Sequence, residues 1–309
     1  MPSLSLVFAG SPAAAVPSLR GLAGSAHTIS AVLTREDSPQ GRRGILTPTP
    51  VAVASDELAI PVIRANRLAG EATEAIAALR PDLGVIVAYG GLVREPLLST
   101  PRLGWINLHF SLLPRWRGAA PVQRAIMAGD DLTGASVFQL VPELDAGDIF
   151  GQLTQPIGPR ETAGHLLGSL AESGAELLLG VVDNLADGSA RAEPQSGDVT
   201  LAPKLTLEDG RILWNADAIT VINLIRGVTP EPGASTTIDG AGIKVIDAAI
   251  ARETAALQPG ELSFQDRTVV IGTATHPVEL ITVHPAGKRA MAAADWWRGR
   301  PADAARFAL

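Results

Sequence analysis

No cysteine occurs in the 309 residues. Disulfides, thiolate metal ligands and a cysteine nucleophile are therefore excluded, and the chain suits a reducing compartment. Lysine is scarce as well. Only Lys204, Lys244 and Lys288 carry ammonium groups, so 22 of the 25 basic residues are arginine. No run of 18 apolar residues occurs, and the longest apolar stretch, L-G-V-I-V-A-Y-G-G-L-V at residues 83–93, is too short for a spanning helix and is broken by glycine. The opening M-P-S-L-S-L-V-F-A-G has no basic residue before its apolar run, so the expectation is a first strand and not a signal peptide. Together these absences predict a cytoplasmic protein with no membrane partner. A net charge of −7 argues against coating nucleic acid non-specifically, which needs many phosphate-neutralising side chains, while leaving room for a local basic face.

What is present describes a folded chain of two domains. Hydrophobic residues make up 46%, charged residues 18%, and the length exceeds what one core usually serves. Strand and helix signals alternate through the first half, which predicts a mostly parallel sheet with helical crossovers. Strands are expected at residues 5–9, 28–34, 61–63, 83–88 and 105–108, and helices at 51–58, 69–79, 121–128 and 163–185. A first helix is expected from Ser11-Pro12 to about Ala23, bent or delayed by Pro17. Residues 35–50 read as one long polar loop, and residues 135–141 and 149–153 as a hairpin pair. The domain boundaries are expected at 1–188, a linker at 189–205 and a second domain at 206–309. In that second domain a single helix at 217–226 precedes several short β-like runs and a helix at 290–298, which suggests a small barrel.

The informative stretch is residues 105–123, W-I-N-L-H-F-S-L-L-P-R-W-R-G-A-A-P-V-Q. Asn107 and His109 are two apart, so a strand points both to one face. An amide donor and an imidazole at a strand's carboxyl end suit a developing oxyanion and a proton transfer. Alone, an N-x-H pair is more often a satisfied pair of core polar groups. Ser111-Leu112-Leu113-Pro114 and Gly118 follow, and Leu144-Asp145-Ala146-Gly147-Asp148 lies 36 residues beyond His109. F-A-G-S-P at residues 8–12 lacks the three-glycine spacing of a dinucleotide fingerprint, so NAD binding is not supported.

The combined pattern resembles the folate-dependent formyltransferases. It is carried by H-F-S-L-L-P-x-x-x-G, L-D-A-G-D-I, F-A-G-S-P, P-x-G-R-R-G at residues 39–44, V-I-V-A-Y-G at 85–90, A-P-K-L at 202–205 and H-P-A-G-K-R-A-M at 284–291. The resemblance covers the whole chain and implies an α/β, Rossmann-like formyltransferase domain followed by a small OB-like β-barrel domain. It implies 10-formyltetrahydrofolate as co-substrate, with no metal. Through the loop at residues 39–44 and the R-W-R-G-A-A-P segment the resemblance implies initiator methionyl-tRNA as acceptor, and a monomer is expected. A nucleotide-linked amino sugar, or water as in a 10-formyltetrahydrofolate hydrolase, are the alternative acceptors.

In the roles so implied, Asn107 binds the formyl oxygen, His109 stabilises the oxyanion and passes a proton toward the departing N10, and Asp145 orients His109 and accepts the amine's proton through water. A carboxylate beside the imidazole is expected to raise its pKa and keep the cation available. Ser111, Leu112, Leu113 and Pro114 would line the folate site, with backbone contacts near Val87 and Tyr89. Arg42, Arg43, Arg115, Arg117, Lys204 and Lys288 would face tRNA. Asp148 is either a second site carboxylate or a turn residue, and His27, His165 and His276 are expected to be structural or surface residues. The chain departs from the family pattern at Leu201, at Phe110 and within residues 229–232.

Overall fold

A strand covered on both faces has no polar side to show, and the central strands here are accordingly near-continuous apolar runs. The structure, a computed structural model, describes residues 2–40, 44–251, 255–301 and 307–308. In chain order the elements of the first half are β1 (Ser5–Gly10), α1 (Val16–Ala23), β2 (Thr28–Thr34), β3 (Ser38–Gln40), β4 (Ile45–Thr47), α2 (Pro50–Glu57), β5 (Val62–Arg64), α3 (Glu71–Ala78), β6 (Leu83–Val87), β7 (Trp105–His109) and β8 (Arg117–Gly118). They continue as α4 (Pro121–Ala128), β9 (Leu132–Gln139), β10 (Ile149–Pro156), α5 (Ala163–Asp187) and β11 (Leu201–Ala202). Two compact units result. The first is Met1–Pro121, Leu132–Pro156 and Leu167–Ala202, and the second is Val122–Asp131, Ile157–Leu166 and Pro203–Leu309.

The first unit is built on a seven-stranded sheet ordered β10-β9-β7-β6-β1-β2-β5. β1, β2, β5, β6 and β7 run parallel, while β9 is antiparallel to both of its neighbours, β7 and β10. Because β1 has β2 on one side and β6 on the other, the strand order reverses there, and a crevice opens at the carboxyl ends of β1 and β6. Close packing accounts for two of the glycines. A Cβ on Gly10 would sit 2.9 Å from the Val87 carbonyl oxygen, and one on Gly84 would sit 2.1 Å from the Trp105 ring. Trp105 is fully buried, and its indole N–H donates to the Leu97 carbonyl at 2.9 Å. α5 is the one helix among the described residues long and apolar enough to cross a bilayer, yet it lies against this sheet, with Leu108 of β7 3.1 Å from where a Cβ on Gly174 would stand.

Two stretches differ from expectation. Pro17 delays α1, which starts at Val16 after a single 3-10 turn at Ala13–Ala15. The stretch 35–50 is not a plain loop, because β3 and β4 pair as a ribbon in register Ser38↔Thr47 and Gln40↔Ile45. Both strands are exposed throughout, so no buried alternation announces them. Arg42 and Arg43 lie outside the described residues. Residues 189–202 carry no periodicity, yet they are bonded into the first unit. Glu193 exchanges backbone hydrogen bonds with Ile149 at 2.8 and 2.9 Å, and β11 pairs in parallel with β8.

The second unit adds α6 (Ala218–Gly227), β12 (Ala234–Ile238), β13 (Ala241–Ile250), β14 (Leu262–Gln265), β15 (Thr268–Ile271), β16 (Val278–Pro285), β17 (Met291–Ala292) and α7 (Ala293–Arg298). The strands form an antiparallel sheet ordered β12-β13-β16-β15-β14, with β17 on β16. The sheet curls. Phe307 and Ala308 bridge Glu261 beside β14 and Ile238 at the end of β12, joining the two edges. Alternate positions of β12 and β13 turn inward around Trp214, Val221, Ile225, Val245, Ile271 and Leu280. α6 is capped by Asp217, whose carboxylate accepts from the Thr220 N–H at 2.9 Å and is held below the usual range by that bond. This architecture is the α/β sheet followed by a small barrel-like β domain that the sequence predicts.

Candidate active site

The two-residue period of β7 carries Asn107 and His109 to the strand's carboxyl end on one face. There, with Asp145 from the loop after β9, they line a cavity of about 540 Å³. Its other walls come from the crevice at the strand ends: Pro12 after β1, Ala88 to Val93 after β6, and Leu140 to Leu144. The Asn107 side chain is half-buried and has no protein hydrogen-bond partner among the described residues, which leaves its amide N–H groups for a ligand.

His109 is buried, with its Nε2 2.8 Å from the Trp116 carbonyl oxygen. A carbonyl can only accept, so Nε2 carries the hydrogen and the neutral ring keeps Nδ1 bare. Nδ1 lies 3.8 Å from Asp145 Oδ2, beyond hydrogen-bond range. That oxygen instead accepts the Gly118 N–H at 2.7 Å. Burial pushes the His109 imidazole below its ordinary value; the Asp145 charge and the Trp116 carbonyl oppose this without overcoming it. The expectation of a raised pKa is corrected here. Loss of hydration outweighs one carboxylate at this distance, and the resting imidazole is neutral.

Three residues that motif reading passed over complete the surroundings. Gln195 Nε2 donates to the carbonyls of Asp145 and Gly147 at 2.7 and 2.9 Å. Its Oε1 accepts two bonds from the Arg117 guanidinium at 3.1 and 2.6 Å. Thr200 Oγ1 accepts the Trp116 N–H at 2.8 Å. Arg35 Nη2 donates to the Gly90 carbonyl at 2.6 Å and braces the cavity wall after β6. All three are polar side chains meeting distant backbone, a signal that local spacing does not carry.

The residues expected at the folate site divide. Tyr89 lines the cavity with Ala88 and Gly90, while Val87 stands behind it in β6. The Tyr89 hydroxyl donates to the Ala65 carbonyl at 2.6 Å, and burial pushes the phenol pKa up. Ser111, Leu112, Leu113 and Pro114 are not among the lining residues. Ser111 Oγ donates to the Arg115 carbonyl at 2.6 Å, and Ser136 Oγ donates to the Ser111 carbonyl at 2.6 Å, which fixes the turn that presents Trp116. Asp148 does not line this cavity either.

Of the arginines in 101–124, Arg102 pairs with Asp82 at 3.1 Å, Arg117 holds Gln195, and Arg124 pairs with Asp209 at 2.9 Å inside the second unit. Arg115 is exposed, with its guanidinium 5.6 Å from the Trp116 ring centroid. Lys204 and Lys288 are exposed in the second unit. Near the end of the chain Arg300 bonds Asp239 at 2.9 Å and stacks 4.5 Å from the Trp297 ring, and Arg298 pairs with Asp295. His27 is structural. Its Nδ1 accepts the Leu4 N–H at 3.2 Å and its Nε2 meets Asp183 at 3.0 Å.

The formyl transferase family matches residues 5–182, and its C-terminal domain family matches residues 204–301. The chain belongs to the formyl transferase family. A relative from Clavibacter sepedonicus, named methionyl-tRNA formyltransferase, is 60% identical over 95% of this chain and 96% of its own length. Among solved structures, an N-formyltransferase from Helicobacter canadensis in complex with folinic acid and dTDP-3-aminofucose superposes with a TM-score of 0.68 at 16% identity, covering 89% of this chain and 98% of that one. HypX from Aquifex aeolicus superposes with a TM-score of 0.66 at 19% identity over 96% of this chain, which spans 49% of that longer protein. At such identities the two structures speak for the fold.

Proposed function

We propose that this chain transfers the formyl group of 10-formyltetrahydrofolate to the α-amino group of methionine on initiator tRNA, the reaction that prepares the first amino acid for translation. The observation that carries the chemistry is the convergence of Asn107, His109 and Asp145 on one cavity at the strand ends. The acceptor follows from relatives that match nearly the whole chain at 59–60% identity and bear the name methionyl-tRNA formyltransferase. Such a reaction takes place in the cytoplasm, where charged initiator tRNA is used.

The cavity suits the donor. About 540 Å³ lies within the usual range for small-molecule sites, and the walls combine apolar residues with the polar side chains of Asn107, His109 and Asp145. 10-Formyltetrahydrofolate supplies a formyl group on a nitrogen that can leave. Asn107 donates an amide N–H to the formyl oxygen as charge grows on it. His109, neutral at rest, takes the proton of the attacking amine at Nδ1. The imidazolium so formed has the Asp145 carboxylate 3.8 Å away and its Nε2–H on the Trp116 carbonyl, two neighbours that favour the charged ring. His109 then returns that proton to the departing nitrogen. Arg42, Arg43, Arg115, Lys204 and Lys288 are assigned to tRNA, and Arg117 is assigned first to Gln195.

The test is an acceptor comparison with purified protein and 10-formyltetrahydrofolate. Methionyl-initiator tRNA should become formylated, while uncharged tRNA, a nucleotide-linked amino sugar and water receive little formyl group. Transfer to the sugar or to water in preference to the charged tRNA would overturn the assignment.

A further inference from the structure

We propose that Gln195 and Thr200 are positioning residues for formyl transfer, each holding one of the two left-handed residues whose polar groups face His109. The proposal rests on the reading of the site given above. Asp145 has a φ of 44° and Trp116 a φ of 61°. Asp enters the left-handed region with some ease, whereas a bulky residue such as Trp is a true outlier there. Strained backbone of this kind persists only where the surroundings over-determine it, and it concentrates at functional sites. Here both strained residues touch the same imidazole: Trp116 through its carbonyl at 2.8 Å and Asp145 through its carboxylate at 3.8 Å.

What over-determines them comes from residues 195–202. Gln195 uses every hydrogen-bonding capacity of its amide, two N–H groups on the carbonyls of Asp145 and Gly147 and both oxygen lone pairs on Arg117. The guanidinium fixes which end is oxygen, since donors facing donors would repel. The amide therefore arrives at the Asp145 loop already oriented. Thr200 acts on the other residue. Its Oγ1 accepts the Trp116 N–H, its carbonyl accepts the Arg117 N–H at 2.9 Å, and Ala202 continues the grip by accepting the Ala120 N–H at 3.1 Å. Neither side chain is among those lining the cavity. Their effect reaches the reaction through Asp145 and Trp116.

A displaced catalytic group lowers turnover more than binding, and an error near 1 Å can cost on the order of a hundredfold. Gln195→Glu keeps the acceptor for Arg117 but turns an oxygen on the carbonyls of Asp145 and Gly147. Its kcat should fall about a hundredfold, with KM for 10-formyltetrahydrofolate changing less than about threefold. Thr200→Val keeps the shape and removes the acceptor, so kcat should fall about tenfold with KM again little changed. Thr200→Ser returns the hydroxyl and should return kcat to near that of the unaltered enzyme. A merely structural role predicts instead that Ser and Val behave alike, or that KM rises while kcat holds. Either result, or full turnover in Gln195→Glu, overturns the inference. Rates are taken relative to the unaltered enzyme with whichever amine accepts the formyl group. Failure of methionyl-tRNA as acceptor therefore counts against the function, and failure of the ratios counts against Gln195 and Thr200.

Discussion

Two segments converge on His109 and do different work there. Residues 105–123 and the Asp145 loop contribute the polar groups that line the cavity, two of them set at the end of a strand whose two-residue period aims them there. Residues 189–202 contribute no such group. They contribute Gln195, Thr200 and β11, which pairs in parallel with β8, and these hold the backbone from which the cavity's polar groups project. The difference teaches that the buried imidazole of His109 is tuned by backbone posture. Its tautomer is set by a carbonyl from a left-handed Trp, and its counter-charge comes from a left-handed Asp.

The contrast can be broken at several points. His109→Ala removes the proton carrier and should lower kcat by about a thousandfold while binding of the donor persists, checked by kinetics beside a direct binding titration. If turnover stays close to that of the unaltered enzyme, the division of labour between the segments is wrong at its centre. Asp145→Asn keeps the size and the bond to Gly118 while discarding the charge, and about a hundredfold loss of kcat is expected. An undiminished rate would reduce Asp145 to a backbone anchor. The acid side offers a third comparison. A buried His109 resists protonation while the unfolded imidazole accepts a proton below about 6.5, so stability should decline as pH falls from there, by at most about 1.4 kcal/mol per pH unit. Denaturant melts across that range should show a shallower decline for His109→Gln. At the small end, Val199→Thr alters an exposed side chain beside Thr200, and both turnover and stability should stay within about 0.5 kcal/mol of the unaltered enzyme. A large loss there would mean that the segment's exposed face also matters.

Much of the scaffold was legible because its signals are local. The β-branched run at 28–34 became β2 with those bounds, and the proline-started helix at 121–128 became α4. Strand spacing put Asn107 and His109 on one face, and the resemblance to the folate-dependent formyltransferases joined Asp145 to them. The β3–β4 ribbon was hidden by its exposure on both faces, which leaves no hydrophobic period to read. Residues 189–202 looked like a linker for a related reason. Their bonds run to partners such as Trp116 and Arg117, 84 and 78 positions away, and polar composition alone does not tell a tether from a solvated strand of chain. The direction of the His109 shift was misjudged because sequence shows the carboxylate and not the depth of burial.

The measurement that bears most directly on this account is an imidazole nitrogen NMR titration, with the His109 signals picked out among the five histidines by their loss in His109→Gln. A neutral ring carrying its hydrogen on Nε2 at pH 7, titrating below about 6.5, is the predicted result. A ring already charged at pH 7, or one carrying its hydrogen on Nδ1, would contradict it.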